Sequence, residues 1–490
     1  MKKFFFHVLT LLALIAALTL TACDSGNTNP DENTTEPIVT TEHVHACGDW
    51  KQTKEPTCIA DGEQQKTCSC GEKEIETLPK VETHTDDGNG ACKHCGTPLA
   101  PTAGITYELS EDGSYAIVTG YEGTATKVMI ADTYEGKPVT EVKQWAFQDK
   151  PITTIIIPDS VKKIGSDAFR DCNLSEVSLS NNLTEIGDYA FFGCSVNVCN
   201  KYEHLYYLGS EENPYLVLFE AEPLDYTNKD VVIHPDTKII HSHALKNTNI
   251  TKIDIHDNIV QIGCHAFQEC KKLESVTLGT AITELSGGIF RDCHELKEIT
   301  VKGTLTKIND YAFYYCKALE SFTIPNTVTY IGDGAFNTTG LTSVVMPNSV
   351  THLGTSAFSY CESLHTIVMS DALEEVPYNA FQNCTNLKNL TIGANVKKIK
   401  YEAVQSCISL ERLIIPNSVV ELDSRAFNCC HGLKEVYIGS GLEVIREAAF
   451  NSCDEITDVY YVGSEAEYNA IRGYKEELNA AVKHYNYQPE

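Results

Sequence analysis

One phrase, Ala-Phe followed three residues after the Phe by Cys, recurs along the chain: "AFRDC" at 168, "AFQEC" at 266, "AFYYC" at 312, "AFSYC" at 357, "AFQNC" at 380 and "AFNSC" at 449. Aligned on it, the anchors are Phe147, Phe169, Phe191, Leu245, Phe267, Phe290, Phe313, Phe336, Phe358, Phe381, Val404, Phe427 and Phe450, spaced by 22 or 23 residues with one exception. This period constrains the fold more than any local propensity. A unit so short cannot bury its own apolar side chains, so neighbours must stack and share one core, which makes a solenoid.

Within one unit, "LTSVVMPNSVTHLGTSAFSYC" (341–361), Leu341, Val344 and Met346 share a short strand. Pro347 ends its pairing, Val350 and Leu353 begin the return, and Ala357-Phe358 closes the core. The expected fold is therefore mainly β and poor in helix, an array of about 13 coils over 104–490 with a cap at each end. Cys sits three residues after the anchor in ten coils, and Lys150, Thr248 and Thr339 replace it in the others. Stacking would bring these thiols close enough for a disulfide or metal ladder. Buried Cys also serves as a small apolar residue, and Thr in an otherwise regular coil shows that no bridge is required, so packing is the expected role.

The period breaks between Phe191 and Leu245, where "LYYLGSEENPYLVLFEAE" (205–222) places two apolar runs around a turn and predicts a β-hairpin on the array, an insertion at about 195–235. "YELSEDGSYAIVTGY" (107–121) predicts a capping hairpin around Asp112-Gly113, and 460–490 predicts a C-terminal cap of a helix and a final strand.

Ahead of the array, Lys2-Lys3, an apolar run and "LTAC" ending at Cys23 have the order of an export signal over 1–22. This start resembles the bacterial lipobox, and the resemblance implies lipidation of Cys23 and attachment to a membrane through that lipid alone. Residues 23–42, rich in Asn, Thr, Asp, Glu and Pro, predict a disordered tether. Residues 43–97 hold too few large apolar residues for a core and must be cross-linked. Structural zinc on Cys58, Cys68, Cys70, Cys92 and Cys95, and disulfides formed in an oxidising exterior, both fit "CSCG" (68–71) and "CKHCG" (92–96). The segment resembles short His/Trp/Cys modules that precede repeat arrays in surface proteins of anaerobic gut bacteria, although the pair in "CSC" is one residue shorter than that pattern.

The consensus L-x-x-V-x-I-P-N-S-V-x-x-I-G-x-x-A-F-x-x-C, nearly whole at 319–339 and 410–430, resembles leucine-rich repeats of the bacterial surface protein A (BspA) type. The irregular "YYLGSEENPYLVL" and the ending "YYVGSEAEYNAI" belong to the same resemblance, which covers about 104–490. It implies a bacterial cell-surface binding protein, an adhesin for a host or microbial protein. A surface scaffold or a glycan-capture lipoprotein is the alternative.

Strand alternation then puts Thr277, Thr300, Thr323, Val345, Val368, Thr391, Ile414, Tyr437 and Tyr460 in one outward row, the candidate binding face for a protein or glycan. The array itself calls for no cofactor. With 38 Lys+Arg against 67 Asp+Glu, a net charge of −29 repels nucleic acid. No nucleophile elbow, phosphate loop or metalloprotease helix is present, and the repeats leave no domain to house a reaction, so no enzyme is expected.

Overall fold

A computed structural model describes residues 47–54, 56–57, 60–69, 71–80, 92, 94, 100–194, 200–210, 212–222 and 231–488. The expected signal and tether, with Cys23, lie outside them. The chain divides into two compact units, Met1–Lys80 and Val81–Glu490. Among the described residues no helix is long and apolar enough to cross a membrane.

In the smaller unit Lys51–Lys54, Gly62–Thr67 and Lys73–Leu78 form a three-stranded antiparallel sheet. A Cys47–Cys68 disulfide ties the segment before the first strand to the end of the second.

The larger unit is a β-solenoid whose coils have three sides. The first carries strands of three or four residues, such as Thr366–Val368, paired in parallel with the same strand of the next coil. The second carries two-residue strands such as Lys398–Ile399. Inward residues of both sides, Ile367 and Ile399 for example, are fully buried.

The third side is the Ala-Phe turn, and it has no strand. In every coil the residues two before and two after the anchor take φ between +53° and +75°, and only Gly193, Gly288 and Gly334 among them are glycine. This alternation of left- and right-handed residues splits the backbone donors into two sets. The N–H groups of Asp167, Phe169 and Asp171 reach the carbonyls of Asp188, Ala190 and Phe192 in the next coil, while those of Ala168, Arg170 and Cys172 close turns inside their own. Stacking thus supplies the hydrogen bonds that hold side-chain-bearing residues in a conformation costing about 1 kcal/mol or more each. Thr338, β-branched at φ +57°, carries the largest such strain. Its replacement by glycine keeps the N–H bond to Ser359 (2.9 Å) and should raise unfolding free energy by about 0.5–1 kcal/mol. A urea midpoint at or below the parent's would refute that.

The anchors stack ring on ring. Phe147, Phe169 and Phe191 lie 5.1 and 5.2 Å apart, and Phe267 through Phe381 form a longer ladder. Leu245 and Val404 interrupt it. All ten Cys at the third position after the anchor donate their S–H to the anchor carbonyl of the preceding coil, from Cys172 on Phe147 (2.9 Å) to Cys453 on Phe427 (3.1 Å). Thr248 and Thr339 donate instead to the anchors of their own coils. Burial pushes the Cys172 and Cys407 thiols up to about 12 and Cys361 to about 11, so they stay protonated and serve packing and hydrogen bonding.

The irregular segment is not an appendage. Leu205–Leu208 and Val217–Ala221 pair as an antiparallel hairpin that stands inside the stack. Gly209 continues the first-side ladder from Ser178, and Val217–Leu218 begins the second-side ladder that runs to Ile239–Ile240. The hairpin parts the apolar interior into two cores: Leu208, Leu216 and Val217 join the N-terminal one, Leu205, Tyr207 and Leu218 the C-terminal one. Burial on both faces explains why these strands read as continuous apolar runs rather than alternating ones. Where backbone pairing across the hairpin is lost, the Gln261 side-chain amide replaces it, accepting from Ile186 N–H (2.8 Å) and donating to Ile186 C=O (2.9 Å).

At the start of the array Ile105–Leu109 and Ala116–Tyr121 form a hairpin whose second strand pairs with Lys137–Val142. At its end, helix Glu465–Ala470, closed by a Ser464/Glu467 capping box, and helix Glu476–Ala480 bury Tyr468 and Leu478. Strands Arg472–Gly473 and Val482–His484 extend the second and first sides.

Candidate functional site

The first side presents the outward row expected from alternation, but in separate groups. Thr277 pairs with Thr300, Val345 with Val368 and Val368 with Thr391, and Ile414 with Tyr437 and then Tyr460. Thr323 belongs to no strand. Its coil turns Phe322 inward where neighbours place Ile299 and Val344. The ring packs on Phe313 and Phe336 at 5.3 and 5.7 Å, and the extra bulk spreads the coil out of ladder register, leaving an opening of about 330 Å³ beside Glu298 and Ser321. The second side parts similarly at Pro377, which lacks the N–H that Gly354 donates to Ile331 one coil earlier.

Exposure along the row is uneven. Val345 and Ile414 are 63% and 52% exposed, which is high for branched aliphatic side chains on a strand. Beside Ile414 a groove of about 350 Å³ runs between the strand face and the Pro416-Asn417 corner, with Arg412, Tyr437 and Tyr487 on its walls.

The two tyrosines at the C-terminal end form a closed stack. Tyr437 and Tyr460 lie face to face at 4.4 Å, the Arg412 guanidinium covers the outer face of Tyr437 at 4.2 Å, and His484 covers that of Tyr460 at 4.4 Å. Tyr487 packs edge-on against both. Polar edges are paired as well: Tyr437 donates to Glu435 (3.0 Å), and the His484 ring meets Asp458 at 2.8 Å. Burial and the Glu435 carboxylate push the Tyr437 phenol up to about 12. With every ring face taken, the stack cannot receive a sugar or another ring. It makes a rigid wall behind Ile414.

Of the cysteines offered as zinc or disulfide residues, Cys58, Cys70 and Cys95 lie outside the described residues. Cys68 is joined to Cys47, and Cys92 is buried in the larger unit. The Glu74 carboxylate approaches the Cys47 and Cys68 sulfurs at 3.6 and 3.9 Å, the one grouping of potential metal donors among the described residues. In the disulfide state those sulfurs are not thiolates, so the donor set does not fit zinc there.

The aromatic display on the Ala-Phe side was missed by reasoning that followed strand alternation. Trp145, Phe192, Tyr311 and Tyr360 are exposed there, and the signal was available as large rings at fixed offsets from the anchor.

A family model described as BspA type leucine rich repeat region matches the chain in six copies, over 140–212, 238–365 and 351–470. Among solved structures, a leucine-rich repeat protein from Bacteroides ovatus is 25% identical over 79% of this chain and 99% of its own, with a TM-score of 0.43. A leucine rich cell surface protein from Faecalibacterium prausnitzii is 23% identical over 76% and 97%, TM-score 0.30. The pneumococcal vaccine antigen PcpA is 16% identical over 79% and 96%, TM-score 0.30. No curated protein matches.

Proposed function

The chain belongs to the BspA-type leucine-rich repeat family, and from that premise we propose that it is a bacterial cell-surface binding protein, an adhesin that grips a host or microbial protein by the first side of its array. The observation that carries this reading is Ile414, exposed beside the groove walled by Arg412, Tyr437 and Tyr487, with exposed Val345 further along the same side. Exposed aliphatic groups next to a rigid aromatic wall and an Arg have the composition of a binding hot spot. The closed tyrosine stack supplies preorganisation, so a partner loses little by ordering it. The segment ending at Cys23 suits export and a lipid anchor, and a Cys47–Cys68 bond suits an oxidising exterior. No reaction is assigned to the chain.

The test is a binding panel of extracellular-matrix proteins and mucins against the full chain in detergent. At least one should bind saturably, and Ile414→Asp should weaken it by about tenfold or more, while Thr277→Asp, far along the same side, changes it less than about threefold. Silence across the panel, or equal losses from both substitutions, would reject this assignment.

A further inference from the structure

The two tryptophans of the chain are Trp50 and Trp145. Trp145 stands in the array, two residues before the first anchor. It is 58% exposed, and among the described residues no ring or cation lies over its faces, in contrast to Tyr437 and Tyr460. Yet its backbone is fixed. At φ +63° its N–H donates to Ser166 of the next coil (3.2 Å) and its carbonyl accepts from Gln148 (3.1 Å). The third-side ladder thus fixes the backbone from which the indole projects into solvent.

The indole borders a cleft of about 470 Å³ between the N-terminal hairpin and the first Ala-Phe turn. That volume is within the roughly 300–1,000 Å³ of small-molecule sites. The polar lining comprises Thr106 and Thr119, whose hydroxyls are joined to each other at 2.9 Å, with Gln148, the carboxylates of Glu122 and Asp149, and the Lys150 ammonium. Gly120 keeps the floor open. It borders a β-bulge, where Thr106 pairs with Gly120 and Tyr107 with Val118, and an added Cβ would sit 3.1 Å from Thr106 Oγ1. The bulge accounts for a glycine in this strand, and its lack of a side chain leaves the cleft floor free.

From these features we propose that the cleft at Trp145 is a carbohydrate site that takes a pyranose ring of an uncharged glycan. The apolar C–H face of a pyranose stacks on an indole, and its hydroxyls need the mixed donors and acceptors that Thr, Gln and carboxylates supply. Two carboxylates, Glu122 and Asp149, against the single Lys150 ammonium, together with the net charge of −29, disfavour sialylated or sulfated chains. The site is separate from the Ile414 groove and stands or falls independently of the protein-binding reading.

The experiment prints neutral oligosaccharides (β-glucans, mannans, xylans and asialo mucin-type glycans) beside sialylated counterparts and probes them with the full chain in detergent. Any hit is then titrated by isothermal calorimetry. A neutral glycan should bind, its sialylated counterpart more weakly. Trp145→Ala should weaken binding about tenfold or more, Trp145→Phe should retain it within about threefold, and Tyr360→Ala, at an exposed ring on the same side of the array, should leave it unchanged. Alanine is compatible with the backbone there, since Ala448 holds the same position in the last coil at φ +57°. Absence of neutral-glycan binding, binding that survives Trp145→Ala, or preference for sialylated chains would overturn the proposal.

Discussion

Replacing Phe313 with alanine should cost about 3–5 kcal/mol, the largest loss expected from any single truncation in the array. The ring is fully buried and stacks on Phe290 at 5.7 Å and Phe336 at 5.1 Å, with Phe322 tilted against it at 5.3 Å. An alanine therefore opens a cavity touching three coils. Repeat arrays are stabilised coil by coil through nearest-neighbour interfaces, so the damage should be regional. In hydrogen exchange, amides of 290–340 should lose protection while those of 127–190, in the other core, keep theirs. Phe313→Leu should cost only about 1 kcal/mol, because Leu245 already serves as an anchor elsewhere. A Phe313→Ala chain within about 1 kcal/mol of the parent would mean that the aromatic ladder contributes little.

The period and its buried positions were legible because they are set by burial, which shows as apolar spacing. Phe147 to Phe450 could be named from the sequence, as could the packing role of Cys at the third position after each anchor. The left-handed pairs on the third side were not legible. The usual sequence marker of positive φ is Gly or Asn, and here Trp145, Thr338 and Arg425 adopt it because hydrogen bonds from the neighbouring coil compensate. The interruption at Pro377 follows from its missing N–H and could have been read from the chain. That at Thr323 depends on the size of Phe322 relative to the space its neighbours leave, a property of three coils at once. The row of tyrosines was correctly placed on one side, but its partners Arg412, His484 and Tyr487 come from the preceding coil and the terminal cap. Alternation gave no hint that the rings would close on each other. Trp145 escaped notice for the opposite reason: it lies outside every periodic apolar set.

The second large effect should come from acid, acting at the hairpin that divides the two cores. His241 stands four residues before Leu245, where Gly165, Gly263 and Gly354 stand in other coils, and its imidazole is buried beside Phe191 and Phe219 at 6.1 and 5.2 Å. Nδ1 lies 3.0 Å from the Ser242 carbonyl, which assigns the proton to that nitrogen, while buried Nε2 has no partner. Burial pushes its pKa from the ordinary 6.5 down to about 4, against smaller opposing pulls from the Ser242 carbonyl and then Asp188. His243 also falls to about 4, through burial and then His265 and Lys246; His265 shifts the same way through burial and then Arg291. Above pH 6.5 these rings are neutral in the folded and unfolded chain alike and contribute no pH dependence. As pH falls from 6.5 toward 4 the unfolded chain takes up protons that the folded one refuses, so stability drops across that window, by about 3 kcal/mol for His241 alone. The carboxylates most strongly held down, Asp112 and Glu222 at about 2, act at lower pH and do not confuse the reading. Across this junction the interior is already parted, and Gln261, with Asp188 accepting from Ser242 (2.6 Å) and Cys264 N–H (3.3 Å), supplies bonds that backbone pairing supplies elsewhere. Acid should therefore open the array here first. Urea unfolding at pH 7.5 and 4.5 should show the parent losing about 2–3 kcal/mol more than His241→Leu, which has no proton to gain. Parallel losses in the two chains would remove His241 as the cause.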